Sequence, residues 1–102
     1  MPITGDLYAF SDENLEKAPD QGGVYALYQN GQLIYIGRSK GGTTTISSRL
    51  KDHKAGRDGK CTQSADKYRH EPCSNPVSRE KELLAQFQKA NGKLPRCNEV
   101  MP

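Results

Sequence analysis

The sequence predicts an α+β fold: a small antiparallel sheet of about three strands flanked by helices. Three observations lead there. Asn30-Gly31 separates two β-prone runs, the strongest short-range signal for a hairpin. Leu83, Leu84 and Phe87 fall on one stripe at helical spacing. The 102 residues are 33% hydrophobic and 26% charged, which suits a modest core under a wet surface in one domain, with no room for a second.

The elements follow in chain order. Ser11 is placed to cap a short helix over Asp12–Lys17, with acidic residues in its first turn. Pro19 and Gln21-Gly22-Gly23 break the chain. Val24–Gln29 and Gln32–Ile36 form the hairpin, because Asn and Gly both tolerate the positive φ of a tight turn. Gly41–Thr45 reads as a loop. A helix is expected over Ile46–Ala55, where Ile46, Leu50 and His53 share helical spacing and Gly56 and Gly59 end it. Residues 56–64 read as polar and mobile, and Asp66–Glu71 as a weak strand around Tyr68. Val77–Ala90 is the strongest helix, stopped by Asn91-Gly92. Pro95 then predicts an extended tail running to the end.

Composition excludes some settings and favours others. No stretch approaches the ~18 apolar residues of a membrane span, and no charged segment precedes an apolar run at the N-terminus. Three cysteines, Cys61, Cys73 and Cys97, form no CxxC pair. Their odd number predicts reduced thiols in a cytoplasmic protein, and their spacing with His53 and His70 fits no common zinc pattern. The net charge is +3, unevenly spread. Residues 1–37 set Lys17 against five acids. Residues 38–60 carry Arg38, Lys40, Arg49, Lys51, Lys54, Arg57 and Lys60 against only Asp52 and Asp58. A basic segment in a nearly neutral chain suggests an anionic partner on one face, although such runs are often plain solvated surface.

Certain positions suggest chemistry. Glu80 precedes Leu83, Leu84 and Phe87 by three, four and seven residues, so it shares their buried stripe, whereas Glu82 should face solvent. A core-side carboxylate is costly unless paired or metal-bound, and Glu80 has no basic partner at i±4. An ordinary salt bridge at the edge of the stripe is the plain alternative. Arg49 and His53 are i and i+4, hence neighbours on one helix face. Tyr25 and Tyr35 would ordinarily be packing residues on strands.

Gly23-Val24-Tyr25 followed ten residues later by Tyr35-Ile36-Gly37 resembles the paired motif of GIY-YIG nucleases, with Val in place of the usual Ile. Ser48-Arg49-Leu50 with His53, Glu80-Lys81-Glu82-Leu83-Leu84, and Pro95-Arg96-Cys97-Asn98 resemble that family's later elements in the right order. The match spans roughly residues 20–98, and Asn14–Pro19 looks like the entry to stand-alone bacterial members. The resemblance implies an endonuclease cutting DNA phosphodiesters with a divalent metal, Mg²⁺ or Mn²⁺. It implies Glu80 as metal ligand, Arg49 as phosphate clamp, His53 as proton shuttle or phosphate contact, and Tyr25 and Tyr35 at the site, Tyr25 activating water. It also implies Arg38 on phosphate and Asn98 holding the site by hydrogen bonds. RNA stays open as substrate, as does a catalytically weak binding module of the same fold. Without a recognition domain, specificity is expected to be low, structure-led, or supplied by a partner or oligomer.

The tyrosine pair poses a geometric problem. With Asn30-Gly31 at the centre of a plain two-residue turn, Ala26 pairs with Tyr35 and Tyr25 with Ile36. Strand alternation then puts the two tyrosines on opposite faces. A shared site requires a departure from the plain hairpin near Tyr28–Leu33.

Overall fold

A computed structural model describes residues 2–98. In chain order its elements are β1 (Tyr8–Ala9), α1 (Asp12–Glu16), β2 (Gly23–Gln29), β3 (Gln32–Ser39), α2 (Ile46–Lys54), α3 (Lys60–Gln63), β4 (Lys67–Pro72) and α4 (Pro76–Asn91). The strands form one antiparallel sheet in the order β1-β4-β2-β3. The α+β class holds, with one strand more than expected. β1 is two exposed residues borrowing a ladder from β4, too short for any sequence periodicity to show.

Local chemistry sets the elements. The Ser11 side chain accepts a hydrogen bond from the Asn14 N–H at the start of α1. Asn30 (φ 51°) and Gly31 (φ 81°) turn the β2–β3 hairpin in the left-handed region. Thr45 and Ser48 cap α2 reciprocally through side chain and backbone. Pro76 opens α4, and Gly92 closes it in the left-handed conformation.

The hairpin is not plain. Tyr28 pairs with Leu33 but Leu27 pairs with Tyr35, so Ile34 is an extra residue bulging from β3. The bulge resets alternation: Tyr25 now faces Gly37, and Tyr25, Leu27 and Tyr35 share one face, as the site required.

The central strand β2 is fully buried from Val24 to Leu27. On one face Tyr25, Leu27, Ile34 and Tyr68 pack with Phe10, Leu15, Ile46 and Leu50 under α1 and α2. On the other, Val24, Ala26 and Ile36 pack with Leu83 and Leu84 of α4. Each fully buried aliphatic side chain stabilises by roughly 1.5–3 kcal/mol. Gly23 has no alternative in this arrangement. A Cβ there would lie 2.4 Å from the Glu71 carbonyl oxygen of β4.

Three expectations fail. Residues 56–64 do not form only a mobile loop: α3 lies within them, with Thr62 buried. Cys61 and Cys97 are joined in a disulfide, Cα to Cα 5.7 Å, and Cys73 alone is a free thiol, half-buried. The fold brings together cysteines separated by 36 positions, a proximity that counting and spacing cannot reveal. This correction removes the argument from reduced thiols for a cytoplasmic setting. The tail also turns rather than extending, with the Asn98 N–H donating to the Pro95 carbonyl. The expectation for the last four residues lies outside the described ones. No helix among the described residues is long and apolar enough to cross a membrane.

Candidate active site

The bulge and α2 bring four predicted residues together. Tyr25 and Tyr35 lie with ring centroids 6.2 Å apart. The His53 ring sits 4.9 Å from Tyr35 and 5.5 Å from Tyr25, and its Nε2 is 2.8 Å from the Tyr25 hydroxyl. Arg49, one helical turn before His53, places its guanidinium beside both tyrosines. Gly37 makes this convergence possible. A Cβ at that position would stand 2.5 Å from the Tyr25 hydroxyl and 2.7 Å from the Tyr35 ring.

Burial dominates the electrostatics here. It raises the Tyr25 hydroxyl far above its usual range, reinforced by Tyr35 and opposed by Arg49. Tyr35 is raised by burial too, with Arg49 pulling down and Glu80 pushing up. His53, 0% exposed, is lowered to about 4 by desolvation, so its imidazole is neutral at physiological pH. Its other nitrogen, Nδ1, is 3.0 Å from the Thr62 hydroxyl and 3.5 Å from the Asp58 carboxylate. Asp58 also holds Arg49 at 3.0 Å, and Asp52 holds it at 3.3 Å.

Glu80 approaches from the opposite face of the sheet. It is 7% exposed on α4, and its Oε1 pairs at 2.5 Å with Arg38 of β3. The sequence offered Glu80 no basic partner at i±4, with a salt bridge as the plain alternative. The structure supplies that salt bridge from a distant position, because Arg38 lies opposite Val24 on the face that α4 covers. Glu82 points outward, as expected, and pairs with Arg79. The two faces meet around the outer edge of β3, in a cleft of about 510 Å³ whose walls include Tyr35, Arg38, His53, Asp58, Glu80 and Asn98. Asn98 accepts from the Ile36 N–H through Oδ1 (2.9 Å) and donates through Nδ2 to the Ile36 carbonyl (3.0 Å). Its amide is thereby committed to fixing the backbone between Tyr35 and Gly37.

The donor set is sparse. Among the described residues no three His, Cys, Asp or Glu side chains cluster, so no closed protein cage exists. Glu80 offers one carboxylate at the cleft wall, and its second oxygen accepts no hydrogen bond among the described residues. That fits a hard, largely hydrated cation of the Mg²⁺ or Mn²⁺ kind.

The rest of the basic segment is dispersed. Lys60 lines the cleft. Lys51 pairs with Glu16, Arg57 pairs with Asp52, and the Lys54 ammonium lies over the Phe10 ring. Lys40 is exposed just after β3.

A family model of the GIY-YIG catalytic domain matches residues 21–93. The chain belongs to the GIY-YIG family. Its domain is that of a nuclease, acting on nucleic acid, in a family whose members generally require a divalent metal. No curated protein matches the chain. Within the GIY-YIG site, Asp58, Thr62 and the disulfide went unforeseen. Asp58 and Thr62 sit in the stretch that reads as featureless polar loop, and neither carries a motif.

Proposed function

We propose that this GIY-YIG domain is a divalent-metal-dependent endonuclease that hydrolyses DNA phosphodiester bonds in the cleft at the edge of β3. The observation that carries the reading is the 2.8 Å contact between the Tyr25 hydroxyl and Nε2 of a neutral His53. A buried tyrosine whose hydroxyl holds its proton this firmly is a poor phenolate base. It works instead as a relay: its oxygen takes the proton of the attacking water while its own proton passes to His53 Nε2. Tyr35, on the cleft wall, orients the water. Arg49 clamps the scissile phosphate through its planar fork, exchanging Asp58 for a phosphate oxygen. Glu80 is the residue that would hold the ion, which when bound supplies positive charge to the phosphate oxygens. Arg38 neutralises Glu80 otherwise and lies within reach of the substrate backbone. Lys40, Lys51, Lys54, Arg57 and Lys60 add sequence-independent attraction, and specificity comes from nucleic-acid shape or from a partner.

A panel of labelled duplex, branched and single-stranded DNA and RNA, in Mg²⁺, Mn²⁺ or EDTA, tests this. Cleavage of DNA with either ion and none in EDTA is expected. Salt-dependent binding with no cleavage under any ion would make the chain a binding module instead.

A further inference from the structure

The relay just described works only if Nε2 of His53 carries a lone pair. A neutral imidazole has one N–H, on either nitrogen, and the wrong tautomer would present Tyr25 with a donor where it needs an acceptor. What surrounds Nδ1 therefore decides what Nε2 can do.

Two groups face Nδ1, and both come from beyond the end of α2. The Thr62 hydroxyl is 3.0 Å away on α3, and Thr62 is 3% exposed. The Asp58 carboxylate is 3.5 Å away on the preceding loop. A carboxylate only accepts, and a hydroxyl can accept, so together they favour a proton on Nδ1. Thr62 is the nearer and the more buried, and Asp58 divides itself between His53 and Arg49. The placement of Thr62 is itself secured. Its neighbour Cys61 is tied by the disulfide to Cys97, whose neighbour Asn98 holds Ile36.

Resting on the nuclease reading above, we propose that Thr62 is a positioning residue for the reaction. Its hydroxyl accepts from Nδ1–H, holds His53 in the tautomer that leaves Nε2 free, and aims that nitrogen at Tyr25. Thr62 lines the cleft beside His53. It acts through His53, in the manner in which a buried orienting group fixes the base of a nucleophile–base pair.

Nitrogen-15 NMR of the imidazole reads the tautomer directly, without any substrate. The wild-type chain should show Nδ1–H and a bare Nε2 for His53; a proton on Nε2 overturns the proposal whatever the variants do. Thr62→Val keeps the shape and removes the hydroxyl. It should shift His53 towards the Nε2–H form and lower kcat on a labelled DNA duplex in Mg²⁺ by roughly 10–100-fold with KM unchanged, and Thr62→Ser should restore both. A Thr62→Val chain with unchanged tautomer and unchanged kcat would sink the idea. His53→Ala separates the two layers: if it cleaves as well as wild type, the relay itself is wrong, whereas loss in His53→Ala without loss in Thr62→Val removes only Thr62.

Discussion

On one face of β3 the candidate site consists of Tyr25 and a neutral His53, buried and joined by a hydrogen bond, with the half-buried Tyr35 ring packed against His53. On the other it consists of Glu80 and Arg38, a charged pair whose arginine side chain is 37% exposed. In the proposed reaction the first half moves a proton, since Tyr25 and His53 are shielded from water and the hydroxyl sits against the ring nitrogen. In the same proposal the second exchanges ions, with its arginine open to solvent. Arg49 adds charge to the first half. It lies beside the tyrosines, yet its fork is held by the carboxylates of Asp52 and Asp58. A single cleft thus unites two environments that a flat, regular hairpin would keep on separate faces of the sheet.

Mutations can break this division. The largest effect is expected at Glu80. Glu80→Ala should lower metal-dependent cleavage of a labelled duplex by roughly a thousandfold or more, while Glu82→Ala leaves it within a few-fold. Equal losses in the two variants would mean that the charged half of the site is misassigned. Arg49→Ala should cost roughly 10²–10³ in kcat, and Arg49→Lys should recover little, since an ammonium cannot present two parallel N–H groups. Full activity in Arg49→Lys would reduce its role to simple charge.

Stability separates the halves in a second way. Reducing the Cys61–Cys97 disulfide, or replacing both cysteines by serine, should lower the unfolding free energy by about 2–4 kcal/mol, read from denaturant midpoints with and without reductant. An unchanged midpoint would show that α3 keeps its place unaided. Acid acts on the buried His53. The unfolded chain takes up this proton below about 6.5, and the folded chain only near 4. Its contribution is therefore complete above pH 6.5 and falls away as the pH drops towards 4, by about 3 kcal/mol. Glu71, lowered to about 2 mainly by its hydrogen bond to Arg79, follows in a separate window. Its contribution is complete above its ordinary pKa of 4.5 and fades as the pH falls towards 2. A thermal melt against pH should show the first decline vanish in His53→Ala and the second persist.

The smallest expected effect belongs to the basic fringe. Lys60→Ala should reduce the salt dependence of DNA binding by about one unit of slope and leave kcat nearly unchanged.

The parts of this molecule that were legible in the sequence are those governed by local rules. Asn30-Gly31 specified a tight turn, and the helical phasing of Glu80 against Leu83 and Leu84 placed its carboxylate inside and that of Glu82 outside. The bulge could be inferred as well, since two tyrosines ten residues apart cannot share a face of a plain hairpin. Ile34 turned out to be the inserted residue. What stayed hidden depends on distant chain segments meeting. Arg38 reaches Glu80 across 42 positions, and Thr62 reaches His53 from a stretch with no periodicity. The cysteine count pointed away from the disulfide, because proximity in space leaves no trace in spacing.

Asn98 has a consequence beyond the cleft. β3 lies at the end of the sheet, where an unpaired strand normally offers its peptide groups to any passing chain. Here Cys97 donates its N–H to the Ile34 carbonyl, and the Asn98 side chain satisfies both peptide groups of Ile36. One amide side chain does the work of a missing neighbour strand. The residue that fixes the backbone between Tyr35 and Gly37 thus also occupies peptide groups of this edge that an added strand would need.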